Sequence, residues 1–178
     1  FSVGNAGDVI ISAGNLLVDG MHSPQLTGIA SSAENIPGAM GAGGKVALTV
    51  AHALTVQNGG GISVSTGIYS TGDAGDIEIM TPDLAIADGN IFAKSARNGG
   101  GNIVVNADHT VLSNGSEISS TVEGVEHSKG GTVEVNGDIL VILDSLGITA
   151  KANQGKGGNI IPGRKAGWQA IAFEGEGK

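Results

Sequence analysis

One phrase recurs along this chain: a glycine, a polar residue, then apolar residues at alternate positions. It reads GDVIIS from Gly7, GKVALT from Gly44, GDIEIM from Gly75, GNIVVN from Gly101, GTVEVN from Gly131 and GNIIPG from Gly158. The anchors are 37, 31, 26, 30 and 27 residues apart. Self-similarity at a period in this range is the signature of a solenoid, in which each unit can bury its apolar face only against its neighbours.

The register inside each unit is tighter than the period. Seven residues separate Val9 from Leu16, Ile77 from Leu84, Ile103 from Thr110 and Val133 from Leu140, while eight separate Val46 from Leu54. Each of these second positions opens another alternation, the pattern of a half-buried strand: Leu16/Val18, Leu54/Val56, Leu84/Ile86, Thr110/Leu112 and Leu140/Ile142. An Asp or Asn follows at Asp19, Asn58, Asp88, Asn114 and Asp144, with glycine next except at Ser145. Asn and Asp accept positive φ, so this turn ladder is expected to mark corners rather than a binding site. A third pair is led by Ile29, Ile62, Ile91, Ile118 and Ile148, an expected structural core ladder. The inward position two residues later is small or branched: Ser31, Val64, Ala93, Ser120 and Ala150.

These repeats predict an all-β parallel β-helix of about five to six coils, with three short strands per coil. Its coils start near Gly7, Gly44, Gly75, Gly101, Gly131 and Gly158, and the repeat segment covers residues 1–160. Residues 161–178 are expected to form an irregular tail or cap. Pro162 falls where the second inward residue belongs, and the only Trp, Trp168, follows with Phe173. Residues 1–3 read as the third strand of a coil that has already begun, so the chain is expected to be a fragment of something longer. Composition agrees: aromatics are only 3% of residues against 40% apolar, and 32 are glycine. A thin core of stacked aliphatics has little room for rings. A β-sandwich of hairpins is the main alternative, but hairpins give no reason for a repeated three-strand register. A strand–helix repeat lacks any stretch of 3.6-residue periodicity.

Charge and motifs narrow the function classes. The net charge is −8, with no cluster of basic residues before GRK at 163–165, so no nucleic-acid partner is expected. No apolar run approaches the roughly 20 residues of a membrane-spanning helix. Cysteine is absent, which removes disulfides and thiolate metal sites. Asp76 and Glu78 should point outward, with Glu134 two coils further on. That places two carboxylates about 9.6 Å apart, from the spacing of neighbouring strands, near the upper end for an inverting glycosidase pair. No outward Lys, Arg or His is expected to join them, so solvated charge is the preferred reading. His22, His52, His109 and His127 share no register, and no metal or cofactor is expected. The phosphate-loop likeness at 38–46 has Ala39 where the pattern needs its first glycine, and Val46 where it needs Ser/Thr. No catalytic constellation is found, and the chain is expected not to be an enzyme. The insertions at 20–28, 32–43 and 121–130 are the expected contact surfaces, since binding residues sit on loops held by a rigid frame.

The wording of the repeat also carries a resemblance. GNAGDVIISAGNLLVDG, GGGISVSTGIYSTGDAGDIEI and RNGGGNIVVNADHTVLSNGSEISSTV resemble the filamentous haemagglutinin-like large exoproteins of bacteria, over roughly residues 1–160. The resemblance implies a right-handed parallel β-helix and a structural rod segment of a secreted surface adhesin. It implies export through an outer-membrane two-partner secretion pore, using a region not in this chain. The expected partner is then a protein or glycan on a host or neighbouring cell, and the location the bacterial cell surface. The NPNG-type and NPNL-type motifs of the family's secretion domain do not occur here. A contact-dependent toxin stalk would share the same repeat, and a β-helical polysaccharide-active enzyme is the remaining alternative.

Overall fold

Alternation of aliphatic and small polar residues gives extended backbone with one dry face and one wet face. The structure, a computed structural model, describes residues 4–25, 27–33, 41–124, 128–163 and, as backbone alone, 169–173; every element among them is a strand. Four turns share one plan, a long strand followed after a corner by a shorter one. They are β1 (Val9–Asp19) with β2 (Thr27–Ala33), β3 (Val46–Gln57) with β4 (Gly60–Thr66), β5 (Ile77–Ala87) with β6 (Asn90–Ser95), and β7 (Ile103–Ser113) with β8 (Glu117–Val122). The next turn divides its first strand into β9 (Thr132–Asn136) and β10 (Ile139–Leu143), then continues as β11 (Gly147–Ala152). β12 (Asn159–Pro162) and β13 (Gln169–Phe173) form the last level.

All of these strands pair in parallel. One sheet runs β1-β3-β5-β7-β10-β13, with β9 joining β7 to β12, and the other runs β2-β4-β6-β8-β11. The chain is therefore a parallel β-solenoid. Two details of the expectation are corrected. About four turns carry the full plan rather than five or six coils, because the last levels are divided or incomplete. The three short strands per coil become two, because the first two alternations form one strand that bends without breaking. β5 and β7 stay in register from Ile77↔Ile103 to Ala87↔Ser113, past a bend at which Pro82 has no ladder partner. A proline is tolerated at such a point because no ladder donor is needed there. The eight-residue spacing from Val46 to Leu54 is absorbed in β3 as an irregularity between Thr49 and Ala53.

The core is a set of axial rows. Ile29, Ile62, Ile91, Ile118 and Ile148 are successive register partners in the second sheet. Ile62, Ile91 and Ile118 are fully buried, and the two end members are partly buried. Facing them are rows such as Val9, Val46, Ile77, Ile103 and Val133. Burying one such side chain stabilises by roughly 1.5–3 kcal/mol before chain entropy is counted.

Glycine at the anchors after the first has a steric cause. A Cβ on Gly75, Gly101, Gly131 or Gly158 would overlap the carbonyl oxygen of the anchor glycine one turn earlier. The small inward residues of the second sheet use the same close approach. Ser31 Oγ donates to the Gly7 carbonyl at 2.6 Å, and Ser120 Oγ to the Gly101 carbonyl at 2.8 Å. The Ser120 hydroxyl thus caps the carbonyl of a buried glycine.

Candidate functional site

The expected turn ladder needs one correction. Asn58, Asp88, Asn114 and Asp144 occupy the left-handed region, with φ of 53°, 53°, 54° and 44°. Asp19 does not: it is the register partner of Gln57, one position earlier. The first turn makes its corner with Met21 and His22 instead, at φ 50° and 53°. The offset shows in the sequence, because Asp19 follows Val18 directly whereas Asn58 stands two residues after Val56. Asp19 still reaches this corner through its side chain. Its carboxylate accepts Gln57 Nε2 at 2.9 Å, Met21 N–H at 2.8 Å and Asn58 Nδ2 at 3.1 Å. The Gln57 bond, then those from Met21 and Asn58, hold the Asp19 carboxyl below the usual aspartate range. Three donors from two turns make a brace, and they leave the carboxylate little capacity for a ligand.

The outward carboxylates of the first sheet behave alike. Glu78, Val104 and Glu134 are successive register partners, as expected. The expectation that no outward cation joins them is overturned: Lys45 Nζ lies 2.5 Å from Glu78 Oε2. The Glu78 hydrogen bond and charge raise the Lys45 ammonium above its usual pKa. Glu134 accepts Asn136 Nδ2 at 2.9 Å. Asp76 accepts both the backbone N–H and the Nδ2 of Asn102, at 2.8 and 3.1 Å. Lys45, Asp76, Glu78, Asn102 and Glu134 line an open depression of about 490 Å³ together with Val104 and Thr132. Each carboxylate is tied to a neighbouring turn or strand residue. The arrangement braces the sheet.

A second pairing of turns was missed in the sequence. Asp83 and His109 are register partners, and His109 Nδ1 lies 2.8 Å from Asp83 Oδ1. The signal was available, since each residue stands six positions after its inward anchor, Ile77 or Ile103. His22 Nε2 approaches Asp88 Oδ2 at 3.9 Å, and His127 lies outside the described residues. Among the described residues, no group of three or more His, Cys, Asp or Glu side chains could hold a metal ion.

No family model, curated protein or solved structure matches this chain. The site must be judged on its own geometry.

The insertions are described in part. At 20–28 the chain leaves the first corner with Met21 82% exposed, while His22 N–H donates to the Asn58 carbonyl at 2.8 Å. Residues 34–40 of the second insertion and 125–127 of the third lie outside the described residues, as does Trp168 of the tail. The tail residues that are described extend the sheet: Pro162 ends β12, and β13 pairs with β10 from Ile139↔Gln169 to Leu143↔Phe173.

Proposed function

We propose that this chain is a structural rod segment of a secreted bacterial surface adhesin of the filamentous haemagglutinin-like kind, serving attachment to cells or surfaces. The observation that supports the reading best is the stacking of the inward rows from β1 to β9, kept in register on both sides of the local irregularities in β1 and β3. Such stacking converts successive repeats into one stiff body, with stability passed between neighbouring turns. The outward polar groups support the same use, because Lys45–Glu78, Asp76–Asn102 and Asp83–His109 each tie one turn to the next. Export to the cell surface and a receptor on a host or neighbouring cell belong to the proposal through the resemblance of the repeat.

The test is an attachment assay. Beads carrying the purified chain are presented to epithelial cells, bacterial lawns and immobilised glycans or matrix proteins, against beads carrying an unrelated β-solenoid. Retention above that control on at least one surface is the expected result. Release of reducing sugar ends from a polysaccharide panel, abolished by Glu78→Gln or Glu134→Gln, would replace the rod reading with an enzymatic one.

A further inference from the structure

The outward cations of this protein fall into two groups. Lys45 pairs with Glu78 at 2.5 Å and Lys94 with Glu123 at 2.6 Å. Arg97, Lys129, Lys151 and Lys156 are exposed and have no ion-pair partner among the described residues. Arg97, Lys129 and Lys156 stand in successive turns, on the links that return the chain from the second sheet to the first. Lys151 lies near the end of β11, where the last of these links begins.

Two of the four are stacked. Lys129 and Lys156 are parallel bridge partners. Backbone bonds hold them so: Gly100 N–H donates to the Lys129 carbonyl at 2.9 Å, Lys156 N–H to the Ser128 carbonyl at 3.0 Å and Gly130 N–H to the Lys156 carbonyl at 2.8 Å. The two links approach closely, since a Cβ on Gly155 would stand 2.0 Å from the Ser128 carbonyl oxygen. Like charges directly opposite on neighbouring strands repel, so the stack costs stability.

Carboxylates are not scarce in a chain of net charge −8, yet those nearby are committed elsewhere. Glu123 is taken by Lys94. Asp73 stands in the same column two turns before Lys129, beyond Gly99, and its carboxylate accepts the Gly99 N–H at 2.7 Å. From Ser145 to Gly163 the chain has no Asp or Glu at all.

We propose that this edge is an anion site whose ligand is a flexible polysaccharide carrying sulfate or carboxylate groups. Such a group bridges the Lys129 and Lys156 ammoniums and removes the repulsion between them, with Arg97 and Lys151 beside the stack. Lysine suits this role because its charge is compact and its stem mobile. Glycines at 99–101, 130–131 and 157–158 leave the edge open to a chain lying along it. A nucleic-acid duplex fits less well. Its phosphates are dense and evenly spread, and would meet the Asp76, Glu78 and Glu134 carboxylates of the adjoining sheet face. No aromatic side chain stands among the lysines for bases to stack on. The inference rests on the attachment reading for where such a polymer is met, and it adds the chemistry of the contact.

The test is direct binding of the full chain to heparin, alginate, uncharged dextran and duplex DNA, at low and at physiological salt. Binding to heparin or alginate that weakens with salt is expected, with none to dextran and less to DNA. The better of the two anionic polymers tells sulfate from carboxylate. Lys129→Gln and Lys156→Gln should each weaken binding about fivefold, the worth of one cation at an anionic surface. Lys45→Gln removes the same charge elsewhere and should bind like the wild type. Lys156→Glu should move two readings in opposite directions. Its melting point should rise, because Lys129 gains a partner one turn on, while its binding is lost. The proposal is overturned if neither anionic polymer binds, if the Lys129 and Lys156 variants bind like the wild type, or if DNA binds more tightly. A chain that binds neither polymer but still attaches to cells sinks the site and keeps the attachment reading. Binding to a polymer through Lys129 and Lys156, with no attachment to any cell or surface, does the reverse.

Discussion

Replacing Thr110 with valine should make the protein more stable. Thr110 stands in the inward row of Leu16, Leu54, Leu84 and Leu140, with Leu84 on one side and Leu140 on the other. It is 1% exposed, and its Oγ1 has no hydrogen-bond partner. A buried hydroxyl in that state costs about 1–3 kcal/mol relative to an apolar group of the same shape. Valine has that shape, so Thr110→Val should recover about 1–3 kcal/mol without repacking the row. At about 2–4 °C per kcal/mol for a chain of this length, the melting point should rise by roughly 2–12 °C.

Ser120→Ala is the paired control. Ser120 is fully buried in the opposite sheet, but its hydroxyl donates to the Gly101 carbonyl at 2.8 Å. Deleting that oxygen leaves a buried acceptor unpaired, so stability should fall by about 1–3 kcal/mol. Urea and thermal unfolding followed by circular dichroism measure both variants under one condition. The reasoning fails if Thr110→Val is no more stable than the wild type, or if the two variants move in the same direction.

Ile118→Asp should unfold its turn and the adjoining ones, since it loses the 2–5 kcal/mol typical of a truncated buried aliphatic, as an order-of-magnitude guide, and buries an unpaired carboxylate; limited proteolysis should cut first near β6 and β8. Gly101→Ala should destabilise strongly because its Cβ would overlap the Gly75 carbonyl, whereas Gly7→Ala, with open space around it, should melt like the wild type. The Lys45–Glu78 pair should show as a pH effect. A lysine whose pKa is raised on folding contributes stability below its unfolded value, near 10.5, and loses it as pH rises through the higher folded value. Glu78→Gln should therefore melt slightly below the wild type near pH 8, and the two melting curves should converge above that alkaline range.

The inward rows were legible because alternation reports which side chains share a face, and recurring offsets from the glycine anchors report which of them stack. Ile62, Ile91 and Ile118 stand 18, 16 and 17 residues after their anchors, so their place as the first aliphatic after each corner, rather than a fixed offset, puts them on one line. The strand count was not legible. A bend that keeps its ladder, as at Pro82, has the same sequence appearance as a turn that breaks it. The Asp19 offset was legible but easily passed over: Asp19 follows Val18 directly, whereas Asn58, Asp88, Asn114 and Asp144 each stand two residues after the last inward aliphatic. Lys45 was missed because it precedes its strand, and its flexible stem crosses diagonally to Glu78. Inward packing leaves a periodic trace in a sequence, whereas contacts between outward side chains depend on reach and register together.

That asymmetry also bears on what a chain of this kind contributes. Each repeat spends 26–37 residues to advance one turn, about 4.8 Å along the axis. The same residues in an α-helix would extend roughly 40–55 Å. A solenoid is thus a poor way to gain length and a good way to gain width and stiffness, since every turn is locked to its neighbours on two sheets. Its outward groups are then free of the core's demands, yet Asp19, Asp76, Glu78 and Asp83 are each engaged with an adjacent turn. Side chains committed to holding turns together do not select a ligand. A ligand-selecting contact on such a solenoid would fall to departures from the regular face, such as the corner at which Met21 is 82% exposed.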